Sequence, residues 1–111
     1  MEIHLFEVEE YTWKYMIKST KKRIMGLTNE TLLLFSPSKV NEKLVLDFWK
    51  PISEISTAKA SVASNKKFNL EVAFRENEKE VKMYFGGESK IETILGFLNP
   101  IEMIERKIVQ I

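Results

Sequence analysis

Apolar and polar residues alternate along most of the chain, and the alternation stops near its end. Tyr11, Trp13, Tyr15 and Ile17 alternate with Thr12, Lys14, Met16 and Lys18. Period two with aromatic residues on one side is the pattern of a half-buried strand. Before it, residues 1–9 mix Ile3, Leu5, Phe6 and Val8 with three glutamates, which fits a lead-in strand or a short helical turn. The polar stretch 19–22 reads as a break and 23–28 as a second strand. Asn29 tolerates the left-handed region a tight turn needs, so 23–28 and 31–36 form a hairpin. Turn residues fill 36–42. Leu44, Leu46 and Phe48 share one side of a strand over 43–49, which Pro51 stops. Residues 52–61 read as a strand with a kinked start and 61–67 as a loop. Phe68, Leu70, Val72 and Phe74 form the cleanest strand, joined by the charged turn 75–79 to Val81, Met83 and Phe85 in a second hairpin.

After Gly86-Gly87, read as a turn, the period changes. Ile91, Ile94, Leu95, Leu98, Ile101, Ile104 and Ile108 recur at steps of three and four, one face of a helix. Ser89 and Glu92 match a capping box, and Asn99-Pro100 interrupts the run. The pattern predicts a helix over 89–98 and a second, shorter one to about 109.

Six or seven antiparallel strands followed by a helix define an α+β chain that is mainly β. One helix cannot cover both faces of such a sheet. A partly open antiparallel barrel, capped by the C-terminal helix, buries it best. The segment Gly26-Leu27-Thr28-Asn29-Glu30-Thr31-Leu32-Leu33-Leu34-Phe35 is similar to the "G-x-L-T-N-x-x-L-x-F" hairpin of the pleckstrin-homology-like (PH-like) superfamily, in its GRAM and bacterial PH-like branches. Pro51-Ile52-Ser53-Glu54-Ile55 is similar to that family's "I-P-x-x-x-I" turn. The resemblance covers about residues 11–98 of a single domain over 1–111, with 99–111 as a helical extension. It implies a PH-like fold and a non-catalytic binding module. In this family a first-strand lysine and a basic second strand cradle inositol phosphates. Carried over, Lys14, Lys18, Lys21, Lys22 and Arg23 are the candidate anion- or lipid-binding residues. The alternation sets Lys14 and Lys18 on one face, opposite Tyr11, Trp13 and Tyr15. A solvated lysine face on an edge hairpin is the plainer reading of the same run.

Composition narrows the function classes. The 111 residues are 44% hydrophobic and 30% charged, an ordinary globular balance in one domain's length. Seventeen basic residues against sixteen acidic ones give a net charge of +1, which argues against nucleic acid as a partner. The absence of cysteine excludes disulfides, thiolate nucleophiles and zinc fingers, and fits a reducing cytosol. His4 is the only histidine and lies near the start, leaving little for a catalytic triad or an imidazole metal site. The carboxylates read as solvated surface, and Asp47, the only aspartate, as a single group rather than a site. The longest apolar runs reach about four residues, far short of the ~20 of a membrane span, and no signal peptide is visible at the start.

No enzyme, metal or cofactor is therefore expected. A protein partner or a second copy is the leading expectation, with an anionic membrane lipid as the other ligand class. Candidate contacts are Trp49 and the apolar C-terminal residues Ile104, Ile108 and Ile111. That segment either folds back on the barrel or meets another subunit. The runner-up function is a small assembly protein that self-associates through it. The expected location is the cytoplasm, integral to no membrane, with peripheral membrane association left open.

Overall fold

The structure is a computed structural model that describes residues 2–38, 40–88, 90–101 and 103–109, with 107–109 described by backbone alone. Eight strands form a single sheet: β1 His4–Lys14, β2 Ile17–Leu27, β3 Thr31–Pro37, β4 Leu44–Pro51, β5 Ile55–Ala63, β6 Lys67–Glu76, β7 Lys79–Glu88 and β8 Met103–Val109. A helix, α1 Ile91–Phe97, lies between β7 and β8. The sheet order is β4-β3-β2-β1-β7-β6-β5-β8.

The turns explain the register. Two-residue hairpins need positive φ at both central residues to match the strand twist. Asn77 and Glu78 supply it between β6 and β7, with φ of 51° and 65°, and Tyr15 and Met16 between β1 and β2, with 52° and 64°. Between β2 and β3, the buried Thr28 hydroxyl accepts hydrogen bonds from the backbone N–H groups of Glu30 and Thr31 at 3.1 and 2.9 Å.

Both halves of the sheet share one core. Met25, Leu27 and Leu34 of β2 and β3 meet Leu70, Val72 and Phe85 of β6 and β7, and Ile94 and Leu98 close over them. Each is essentially without solvent exposure. The hairpins expected over 23–36 and 68–85 are present, as is the break at Pro51, where a single 3-10 turn over Ile52–Glu54 leads into β5.

Several expectations are corrected. Among the described residues there are eight strands rather than six or seven, and the sheet they form is not closed, because β4 and β8 are its two edges. Of the two alternatives for the first residues, His4–Glu9 take the strand as the start of β1, and the first hairpin turns at Tyr15-Met16, not at 19–22. Gly86 and Gly87 lie inside β7, where a side chain would strike the Tyr11 hydroxyl and the Phe68 ring. The second helix is the strand β8, parallel to β5 from Thr57↔Met103 to Ala63↔Val109. Ile104 and Ile108, four positions apart, share a face at either period. The edge of β5, with unpaired backbone groups to satisfy, decides for a strand, and α1 supplies the crossover that a parallel pair requires. Ser89, half of the expected capping box, lies outside the described residues.

Candidate functional site

β1 pairs with β7 only over Glu9–Tyr11, and β2 pairs with β3 only from Ile24 onward. Residues 20–23 pair with Val8–Tyr11 at the base, and residues 12–14 and 17–19 therefore pair with one another alone. They form a two-stranded ribbon that projects from the sheet. At its tip Tyr15 is 87% exposed, Met16 98% and Ile17 70%. Folding leaves these three apolar side chains in water, a cost that soluble surfaces usually avoid when such residues cluster. Lys14 and Lys18 flank the tip, while Lys21 and Lys22 stand at the base of the ribbon opposite Glu10 and Glu9, and all four lysines are exposed.

The base of the ribbon is held by packing and charge. Trp13 meets Tyr84 of β7 edge-on, with ring centroids 5.0 Å apart, and the Lys18 ammonium lies 3.8 Å over the Tyr11 ring. Gly86 has no side chain in the place the Tyr11 phenol occupies, so the ring lies flat on β7. Burial, with the Glu9 charge beside it, raises the Tyr11 pKa. On the other face Arg23 donates to Glu10 at 2.9 Å and also to Asp47, which accepts a further hydrogen bond from the Ser36 hydroxyl. This network ties β1, β2, β3 and β4 together. The Ser36 hydrogen bond, and then the Arg23 and Lys21 charges, hold the Asp47 carboxyl below its ordinary pKa against desolvation.

Directly paired residues share a face of the sheet, which locates the five candidate basic residues. Arg23 sits opposite Val8, Lys21 opposite Glu10, and Lys14 opposite Ile17, all on the core-facing side. Lys18 sits opposite Trp13 and Lys22 opposite Glu9, on the outer side. Lys14 and Lys18 thus lie on different faces, contrary to expectation, because the chain reverses between them. The five do not converge on one pocket, and Arg23 is engaged by two carboxylates.

Of the candidate contact residues, Trp49 is 56% exposed on the outer face of β4, whereas Ile104 packs against the core. The Ile108 side chain and Ile111 lie outside the described residues. The residues the sequence reading passed over are Tyr15, Met16 and Ile17, because it placed them inside a strand. Among the described residues, no three His, Asp or Glu side chains gather as a metal site needs. No helix there is long and apolar enough to cross a membrane.

No family profile matches the chain, and no curated protein matches it. Among solved structures it is similar to the hSac2 domain from human phosphoinositide phosphatase Sac2, at a TM-score of 0.61 and 8% identity. The match covers 99% of this chain and 77% of that one. At that identity the likeness concerns the β-rich fold alone.

Proposed function

We propose that this chain is a non-catalytic binding module of PH/GRAM-like type that docks peripherally on anionic membrane surfaces through its β1–β2 ribbon. The observation that carries the reading is the exposed apolar tip of Tyr15, Met16 and Ile17, flanked by Lys14 and Lys18 and followed on β2 by Lys21 and Lys22. A PH-like assignment is supported by the meander β1 to β4, the further meander β5 to β7 and the helix after β7. β8 is an addition to that plan. The structurally similar domain belongs, by its name, to a phosphoinositide phosphatase.

The energetics fit reversible binding. Each lysine near an anionic surface contributes about 1 kcal/mol. Immersing Met16, Ile17 and part of Tyr15 adds roughly 4 kcal/mol. With Lys14 and Lys18 beside the tip, the sum of these terms corresponds to a dissociation constant on the order of tens of micromolar. Because the basic groups straddle both faces of the ribbon and Arg23 is occupied, the lysines serve as a diffuse charge. They do not form a cradle for one headgroup.

The test is co-sedimentation with phosphatidylserine–phosphatidylcholine vesicles. Binding is expected to rise with the anionic fraction, to weaken several-fold with added salt, and to fall on Lys18→Glu/Lys22→Glu. Absence of the protein from the pellet at every anionic fraction contradicts the proposal. Self-association through the C-terminal segment has less support, since Ile104 is turned to the core.

A further inference from the structure

The half-sheet formed by β1 to β4 is apolar on both faces. Its inner face is the core. Its outer face carries Ile3, Leu5, Leu44, Leu46 and Trp49, each 43–56% exposed. They flank a half-buried layer that includes Phe35, paired with Ile24 and Leu46. Gly26 organises this layer: a Cβ there would come within 2.9 Å of the Phe35 ring and 3.1 Å of the Ile3 side chain. An antiparallel sheet with one solvated face should alternate apolar with polar, and here that alternation is missing. Glu7, opposite Ile24, and the pair Glu9–Lys22 are charged residues at the border of the patch.

We propose that a second copy of this chain covers the outer face of β1 to β4, in a two-fold sheet-on-sheet dimer. Three observations choose a second copy over another occupant. The five side chains expose on the order of 500 Å² of apolar surface, more than half of one side of a standard interface and at the upper end for a lone monomer's largest patch. The charged residues on its border, Glu7 and the pair Glu9–Lys22, are too few and too balanced to select a highly charged partner. A predominantly apolar sheet face is complementary to itself, as a two-fold contact requires, and two such faces stack as the layers of a sandwich do. Finally, β4 is an outer edge of the sheet with no neighbouring strand, and Trp49 stands on it as an aromatic anchor of the kind that dominates interface energetics. This inference is independent of the membrane reading, which rests on the ribbon.

Light scattering coupled to size exclusion, over a concentration series from low micromolar to near-millimolar, tests it. The wild type is expected to approach twice the 13.0 kDa chain mass. Leu46→Lys and Trp49→Glu should remain monomeric over the same range with unchanged far-ultraviolet circular dichroism. Met16→Ser, at the ribbon tip, should dimerise like the wild type. If the face variants fail to fold, the wild-type face is read in a Trp13→Phe background, where Trp49 emission should shift to the blue as the protein is concentrated. A wild type that stays monomeric throughout, a dimer that survives both face variants, a dimer lost on Met16→Ser, or concentration-independent Trp49 emission each overturns the proposal.

Discussion

Arg23 shows how a residue's role depends on what lies across the sheet from it. In the sequence it is the end of a basic run. In the fold its side chain is only 14% exposed, between Glu10 and Asp47. Removing it leaves the largely buried Glu10 carboxylate without its ion-pair partner and Asp47 with the Ser36 hydroxyl alone as hydrogen-bond donor. Arg23→Ala is therefore expected to cost about 2 kcal/mol, measured by urea unfolding, while vesicle binding per folded molecule is retained. Asp47 adds a pH dependence of known sign. Its carboxyl is held below the ordinary carboxylate value. Its contribution to stability is thus present above the unfolded-state pKa of about 4 and is lost as the pH falls through the lower folded value. Asp47→Asn should flatten the acid limb of a Tm-against-pH profile, and unchanged acid sensitivity would refute this role. Nothing in the linear chain announced the network, because Glu10, Arg23, Ser36 and Asp47 are separated by 13, 13 and 11 positions and meet only after four strands pair. Gly86 likewise read as a turn residue. Gly86→Ala should force the Tyr11 ring off β7, and its cost should shrink in a Tyr11→Ala background, a double-mutant coupling.

At the scale of elements, legibility followed how local the determinants were. The strands over 23–36 and 68–85 announce themselves through alternating apolar residues and through turn residues such as Asn29 and Asn77. The β1–β2 turn does not, because Tyr15 and Met16 adopt positive φ without glycine or asparagine to signal it. A ribbon with no sheet on either side has no buried face, so the alternation that marks a strand is diluted there. β8 was misread for the opposite reason: its isoleucines satisfy a helical spacing, and its partner β5 lies 40 or more positions earlier. The isolation of the ribbon has a dynamic consequence. Two-stranded hairpins are marginal on their own. Backbone amides of residues 12–19 should therefore exchange with deuterium well before those of β6, which is paired along both edges. Uniform protection across β1, β2 and β6 would refute the isolation of the ribbon.

The whole molecule has a net charge of +1 that is unevenly spread. The basic ribbon stands at one end of β1, and acidic residues line the β6–β7 turn. Fold class was legible at the level of a mainly β chain with one helix. Closure was not, because it depends on whether the edges β4 and β8 meet, a relation no local pattern encodes. The same holds for the basic site: the sequence located the lysines on the right hairpin but put the wrong ones on a common face. The apolar tip that Lys14 and Lys18 flank emerged only with the turn. The most direct test of tip docking is the fluorescence of Trp13, two residues before the turn, in a Trp49→Phe background with phosphatidylserine vesicles containing brominated acyl chains. Insertion of the tip predicts strong quenching that is lost on Met16→Ser/Ile17→Ser. Trp13 emission left unquenched at saturating vesicle concentrations would contradict it.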